Sequence, residues 1–173
     1  VAVLIAWKLY LSATLQLHPD EAYYWLWSKD LAAGYFDHPP LIAYLIRLTT
    51  LFSQQELWVR FGGILETLAV SALAWKLSLR LSGGRTKAAA SVITLNVLPI
   101  TLAGSIVITP DTPVFLFVSA GIYAYWRIVE TRQARYWYVL GAAFGLALLS
   151  KYTAVLLVPS LFLFTVATDE RRW

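Results

Sequence analysis

The chain has 173 residues, of which 59% are hydrophobic and only 14% charged, and its net charge is +4. Soluble domains carry about 25% charged residues, so this composition indicates a membrane protein rather than a soluble one. The sequence contains no cysteine, which excludes a disulfide framework and a thiolate metal site. Basic residues stand at the ends of apolar runs instead of forming one patch, which argues against nucleic acid as a partner.

Six apolar runs follow one another, and each predicts a transmembrane α-helix, because a segment in lipid has to satisfy its own backbone hydrogen bonds. They cover residues 1–17, 57–81, 88–108, 113–129, 136–150 and 152–167. We interpret the last two as separate short helices on either side of Lys151. The sequence therefore predicts an all-α fold, a polytopic transmembrane bundle of about six spans. Since the chain begins with Val1 and ends just after an apolar run, we expect residues 1–173 to be one N-terminal module of a longer protein.

The basic residues also predict the orientation of the bundle, since lysine and arginine accumulate on the cytoplasmic side of membrane proteins. Nine of them fall at one set of alternate span ends: Lys76, Arg80, Arg85, Lys87, Arg127, Arg132, Arg135, Arg171 and Arg172. The long first loop (18–56), the TPDT segment (109–112) and Lys151 are then left together on the outer side of the bilayer.

The first loop interrupts the apolar pattern with acids, histidines and aromatic rings. We expect a short helix over residues 21–33 with Asp20 as its N-cap and Gly34 after its end, followed by a second helix over 41–52. Tyrosine and tryptophan side chains suit the headgroup level of a bilayer, so both helices are predicted to lie on the membrane surface.

Several side chains on the predicted outer face could carry chemistry. Asp20 and Glu21 follow the end of the first span, where partial desolvation makes a carboxylate a better proton acceptor. The alternative is that they only cap the next helix and favour its N-terminal dipole end. Asp111 has the same two interpretations. Lys151 is suited to neutralise a lipid phosphate or simply to extend to the head groups.

Two further pairs of residues stand out. Asp37 and His38 precede two prolines and offer oxygen and imidazole ligands for a divalent metal, with a solvated loop or a phosphate contact as the alternatives. Lys8 and Glu66 lie inside predicted spans, both roughly 14–15 Å below the outer boundary at 1.5 Å per residue. Equal depth predicts a structural ion pair between them rather than a proton relay.

Five motifs in order carry a resemblance to a known family: PDEAYYW, GYFDHPPL, VRF at 59–61, TPD and GLALLSKYTAVLLVP. With this spacing the chain resembles the bacterial membrane glycosyltransferases of GT-C fold, which include dolichyl-phosphate-mannose protein mannosyltransferase-like enzymes and lipid A aminoarabinose transferases. The resemblance implies the N-terminal part of a GT-C fold in a bacterial plasma membrane. It also implies transfer of a sugar from a polyprenyl-phosphate carrier to a hydroxyl of a protein, lipid or glycan on the outer face.

Roles for individual acids follow from the same resemblance. Asp20 matches the base that acts on the acceptor hydroxyl, and Glu21 completes that motif. Asp111 matches a second loop acid that helps to organise the acceptor or a metal. Displacement of the carrier phosphate with the help of one base would invert the anomeric centre of the sugar.

The basic residues and the candidate metal ligand take their expected roles from the resemblance too. Asp37 matches an acid near a divalent metal, the one candidate cofactor. His38 stands where the aminoarabinose transferases have a lysine near the carrier phosphate, which would make a phosphate contact pH-dependent. Lys151 matches a basic position near that phosphate.

Two other functional classes remain open from the sequence. In a transporter fragment, Lys8, Glu66 and the outer acids would line a substrate path, but the sequence shows neither broken helices nor repeated halves. A membrane scaffold protein would leave unexplained why Asp20, Asp111 and Lys151 share one predicted face.

Overall fold

The computed structural model describes residues 2–168, except for the side chain of Ser82. The regular secondary structure in this range is helical, which confirms the all-α prediction. The elements are α1 (Ala2–Thr14), α2 (Pro19–Trp27), α3 (Leu41–Thr50), α4 (Glu56–Ser82), α5 (Arg85–Val97), α6 (Pro99–Ile106), α7 (Asp111–Thr131), α8 (Arg135–Ser150), a 3₁₀ helix (Tyr152–Leu156) and α9 (Leu157–Ala167). Arg171 and Arg172, two of the predicted cytoplasmic residues, lie outside the described residues.

Two of these helices, α4 and α7, are each long and apolar enough to cross a bilayer. The pair formed by α5 and α6 makes a third span if it counts as one broken helix. Other apolar helices, including α1, are shorter than a bilayer-crossing segment needs. The helices therefore agree with a membrane bundle, while the count of six spans stays a prediction.

The predicted continuous helix over residues 88–108 is wrong, because this segment is broken. Helices α5 and α6 meet at Leu98 with a bend of 63°. Pro99 has no backbone N–H and a fixed φ, so it starts a helix readily but cannot continue one. The Thr101 hydroxyl donates a hydrogen bond to the carbonyl oxygen of Leu95, which Pro99 leaves without its intrahelical donor.

The predicted interruption at Lys151 is confirmed. Lys151 has extended backbone angles, φ −158° and ψ 134°, between the end of α8 and the 3₁₀ helix. The two apolar runs on either side are therefore separate helices, and Lys151 sits at the end of one of them instead of in the middle of a long span.

Helix α4 occupies the centre of the bundle, where it packs against α1, α3, α5, α6 and α7. Helix α7 packs along α8, and α2 contacts α3. One buried apolar cluster joins the first loop to the rest of the fold: Tyr24, Ile42, Ile46, Val59 and Ile108. The two loop helices are thus fixed to the end of α4.

Charged side chains meet at the two ends of the bundle. At one end, Lys151 contacts Asp111 of the TPDT segment, with Nζ 2.7 Å from Oδ1. At the other, Glu130 accepts hydrogen bonds from Arg80 at 3.2 Å and Arg127 at 2.7 Å. The predicted outer and cytoplasmic residues named here therefore lie at opposite ends, and which end faces outwards stays a prediction.

Helix α2 differs from its predicted bounds at both ends. Its N-cap is His18 and not Asp20. The helix ends at Trp27, well before Ala33, because the hydroxyl of Tyr35 donates a 3.0 Å hydrogen bond to the Trp27 carbonyl oxygen. A tertiary contact therefore satisfies the helix C-terminus where a glycine was expected to end it.

We predict that Gly121→Leu destabilises the protein by about 1–3 kcal/mol, because overpacking forces side chains out of their preferred rotamers. A Cβ at Gly121 in α7 would lie 3.1 Å from Leu157 Cδ2 and 3.5 Å from Leu140 Cδ1. The measurement is the thermal unfolding midpoint of the purified protein, at its natural length, in detergent. The control is Gly145→Leu in α8, where a Cβ meets no atom within 4 Å. An equal loss of stability in both variants would contradict the close packing at Gly121.

Candidate functional site

The centre of the candidate site is a buried ion pair between the first loop and α4. The side chain of Glu21 is 0% exposed and that of Arg60 2%. Arg60 Nε donates to Glu21 Oε1 at 2.8 Å and Arg60 Nη2 donates to Oε2 at 2.6 Å. This two-point geometry is the strong form of a guanidinium–carboxylate interaction.

The remaining donors of Arg60 bind the C-terminal end of α1. They reach the carbonyl oxygens of Ser12 at 3.2 Å, Leu15 at 2.7 Å and Gln16 at 2.8 Å. The last carbonyl groups of a helix have no intrahelical partner, and a cation there is favoured by the helix dipole. Arg60 therefore joins the end of α1 to the first loop.

Glu21 also holds two backbone amides. Its Oε2 accepts from the His18 N–H at 2.8 Å, and its Oε1 accepts from the Ile108 N–H at 3.0 Å, next to the TPDT segment. The Glu21 carboxylate thus accepts four hydrogen bonds from the protein and has no exposed surface. These contacts hold the first loop in place, and the part of Glu21 in the catalytic motif, which the resemblance implied, stays a prediction.

The neighbouring acid, Asp20, points the other way. Its side chain is 63% exposed and lies 3.7 Å from His18 Nδ1. The interpretation of Asp20 as a helix cap is wrong, because the ring of His18 accepts the hydrogen bond from the Asp20 N–H. Its carboxylate is therefore accessible to a substrate.

Asp111 and Lys151 form a second, more exposed pair. Lys151 Nζ lies 2.7 Å from Asp111 Oδ1 and 2.8 Å from Oδ2. Asp111 is the first residue of α7, and the cap position before it, Pro110, makes no side-chain hydrogen bond. The carboxylate thus binds Lys151 rather than capping its own helix, and the TPDT segment and Lys151 meet as the sequence predicted.

Tyr24 lies among three of the candidate acids. Its side chain is buried, and burial together with the charges of Asp20, Asp37 and Asp111 raises its pKa above the usual value. The Ile108 N–H bond to Glu21 brings the TPDT segment beside the first loop, which agrees with charges of both segments acting on this one phenol. The ring of His38 approaches the same phenol edge-on, with a centroid distance of 6.0 Å.

The divalent metal expected near Asp37 stays a prediction. Within residues 2–168, no three histidine, aspartate or glutamate side chains form a group that could hold a metal. Asp37 accepts a 3.2 Å hydrogen bond from the hydroxyl of Tyr23, and His38 packs against aromatic rings. We therefore assign no step of the chemistry to a metal.

The two intramembrane charges do not pair with each other, so the predicted ion pair between Lys8 and Glu66 is wrong. Lys8 Nζ donates to Asn96 Oδ1 at 3.0 Å, and Asn96 Nδ2 donates in turn to Ser71 Oγ at 2.8 Å. Both carboxylate oxygens of Glu66 are buried and have no hydrogen-bond partner in the described part of the chain. Lys8 is hydrogen-bonded to a neutral amide, which is a weaker sequence signal than an acid.

The sequence analysis gave no role to Arg60 and treated Tyr24 only as one of the aromatic rings at the headgroup level. Arg60 stands in the VRF motif, inside the apolar run that became α4. A charged residue in an apolar run is a functional hypothesis by default, and this signal could have identified Arg60. Tyr24 had no such signal, because it is one of several rings in the first loop.

Comparison with known proteins decides the family. Residues 37–173 match the family described as dolichyl-phosphate-mannose-protein mannosyltransferase. The chain belongs to this family, whose members are membrane glycosyltransferases of the GT-C type. The matched region contains Asp37, Arg60, Asp111 and Lys151 and begins after Asp20.

One curated relative is similar to most of the chain. The chain is 33% identical over 144 residues to the lipid A galacturonosyltransferase RgtD of Rhizobium johnstonii. The alignment covers 81% of this chain and 30% of that protein, so the chain spans about a third of the length of this relative. No solved structure matches the chain significantly.

We predict that Arg60→Met and Glu21→Gln each lower the free energy of unfolding by about 3–5 kcal/mol, because each leaves a buried partner unpaired. The matched control is Arg80→Met at the other end of α4. Arg80 is 58% exposed, and an exposed ion pair contributes roughly 0–1 kcal/mol. Thermal unfolding of the natural-length protein in detergent measures the difference. Equal effects of the two arginine substitutions would show that the buried pair does not fix the loop.

Proposed function

We propose that the protein transfers a sugar from a polyprenyl-phosphate carrier to a hydroxyl of a cell-envelope lipid at the outer face of a bacterial plasma membrane. The observation that carries this proposal is the separation of roles between adjacent acids. Arg60 holds Glu21 inside the fold, while Asp20 is exposed, and the bond from the Ile108 N–H to Glu21 brings the segment of Asp111, the partner of Lys151, beside this loop. Membership of the glycosyltransferase family supports the same conclusion.

The proposed reaction is a single displacement at the anomeric carbon. Asp20 takes the proton of the acceptor hydroxyl as its oxygen forms the new bond to that carbon. The bond between the anomeric carbon and the carrier phosphate oxygen breaks, and the phosphate leaves with the electron pair. One displacement from the opposite side inverts the configuration of the sugar.

The cations of the site stabilise the leaving phosphate. Lys151 extends from the interruption after α8 and is 27% exposed, so it can reach a phosphate at the head-group level. His38 supplies a second nitrogen on the same surface, beside Tyr24. Asp111 holds the lysine in place before the donor binds and is exposed enough, at 66%, to contact the acceptor.

The surface of the first loop supports a location at the membrane boundary. Large apolar side chains there are strongly exposed, among them Leu26 at 59%, Phe36 at 100% and Phe52 at 77%. Exposed apolar side chains of this size favour the interfacial layer of a bilayer. The loop can therefore rest on the lipid in which both donor and acceptor are dissolved.

The name of the relative suggests which substrates to test first. RgtD is described as a lipid A galacturonosyltransferase, so we place lipid A first among the acceptors and a galacturonosyl carrier first among the donors. Mannosyl and aminoarabinosyl carriers complete the panel. The broken α5–α6 segment is a feature that transporters share, and a protein that moves its substrate without transferring a sugar would show no product with any of these donors.

We predict that Asp20→Asn reduces sugar transfer by about 10²- to 10⁴-fold, because an amide cannot accept the proton. The measurement uses membranes that contain the natural-length protein and radiolabelled polyprenyl-phosphate sugars from the panel. Protein levels should be unchanged, since the Asp20 side chain is exposed.

The control for this substitution is Asp30→Asn, an exposed acid in the same loop. Transfer that persists in Asp20→Asn would remove Asp20 from the reaction. Equal loss in both variants would point to a general effect of loop charge, and no transfer by the wild type across the panel would contradict the proposed function.

We predict further that Lys151→Met lowers kcat/KM for the donor by about 10- to 100-fold, the value of one hydrogen bond to a charged group. Lys151→Arg should keep most of the activity, because it retains the positive charge. The control is Lys29→Met, which removes a loop lysine that packs 4.3 Å from the ring centroid of Trp25. Normal donor kinetics in Lys151→Met would show that the phosphate binds elsewhere.

A further inference from the structure

A cavity of about 340 Å³ opens beside the candidate site. Its walls come from α4, from the broken α5–α6 segment and from α7, and most of the lining is apolar, including Val70, Leu95 and Phe115. Asp111 lines it as well, so its outer end adjoins the pair that Asp111 forms with Lys151. A molecule in the cavity would therefore have one end at the proposed reaction centre.

Partway along its wall, the cavity contains a carboxylate without a partner in the described residues. Glu66 lines the cavity and is 7% exposed, and neither of its oxygens has a hydrogen-bond partner among residues 2–168. At 1.5 Å per residue, it lies roughly 15 Å along α4 from the outer end of the helix. Lys8 is not a partner of the Glu66 carboxylate, because the Lys8 ammonium donates its hydrogen bond to Asn96.

A buried polar group without a hydrogen bond is costly, so an unpaired carboxyl in a cavity indicates a ligand that supplies the missing contact. A polyprenyl chain cannot supply it, because it is a hydrocarbon beyond its phosphate. A hydroxyl or an amide can, since each offers both a donor and an acceptor and so suits a carboxyl in either protonation state. The occupant then has an apolar body and a hydrogen-bonding group within it.

We propose that this cavity binds an acyl chain of the acceptor lipid, and that Glu66 selects chains that carry a hydroxyl or an amide group near the head group. The inference rests on the proposed function, because it names the acceptor class of that site. The position of Asp111 at the mouth places the head group of such a lipid near Asp111 and Lys151. The donor would approach the same pair from outside the cavity.

Gly104 gives a way to close the cavity without touching Glu66. It lines the cavity in α6, and a Cβ at this position would meet no atom within 4 Å. A phenylalanine at this position should therefore occupy the cavity with little strain on the surrounding helices. Gly145 in α8 has the same open surroundings but does not line this cavity, which makes it the matched control.

The experiment compares two lipid probes by native mass spectrometry of the purified natural-length protein in detergent. One probe is an N-(3-hydroxytetradecanoyl) glucosamine phospholipid, and the other carries a tetradecanoyl chain without the hydroxyl. We expect the wild type to bind the hydroxylated probe about tenfold more tightly, as one hydrogen bond to a carboxyl implies. Glu66→Leu should abolish this preference, and Glu66→Gln should retain part of it.

Gly104→Phe should weaken binding of both probes, whereas Gly145→Phe should leave both unchanged. Equal binding of the two probes by the wild type, or a preference that survives in Glu66→Leu, would overturn the proposal. Absence of binding by either probe would also overturn it and would fit a cavity that is filled by protein. A selective site in a protein that transfers no sugar would contradict the proposed function instead, so the two failures are distinguishable.

Discussion

The buried ion pair between Glu21 and Arg60 is the interaction on which the rest of the site depends. It connects the end of α1, the start of α2, the backbone before the TPDT segment and the outer end of α4. Removing two charges from water is costly, and a buried pair often adds little to stability compared with apolar side chains. Here the ion pair fixes the position of the first loop, because four hydrogen bonds to Glu21 determine how the loop lies on the bundle.

This constraint explains how two adjacent acids acquire different environments. Successive residues of an α-helix are about 100° apart around its axis, so when Glu21 faces Arg60, Asp20 has to face away from the core. The buried residue is fully hydrogen-bonded, and the exposed one is left as a candidate proton acceptor. The buried acid thus sets the direction of its neighbour.

The sequence predicted the parts of the fold that depend on length and hydropathy. Helices α4 and α7 were expected from apolar runs, and the meeting of Asp111 with Lys151 followed from alternate span ends. The break at Leu98 was missed, since one proline inside an apolar run barely changes its hydropathy. The partner of Lys8 was missed for a related reason, because an uncharged Asn96 in an apolar helix looks like a minor irregularity until it is seen facing the ammonium.

The interruption of α5–α6 has a physical consequence for the lipid side of the site. A continuous helix would pack along α4, whereas the bent segment leaves a cavity between itself, α4 and α7. Irregular backbone at membrane depth is tolerated where it is buried in protein or lines a cavity, and the Thr101 hydroxyl donates to the Leu95 carbonyl that the proline leaves free. The broken α5–α6 segment, which transporters share, is therefore equally consistent with a fixed pocket for a lipid chain. A broken span forms a transport path only if its cavity opens to both sides of the membrane. In this chain Asp111 lines the cavity next to Lys151, and the buried Glu66 carboxylate in its wall has no partner within the described residues.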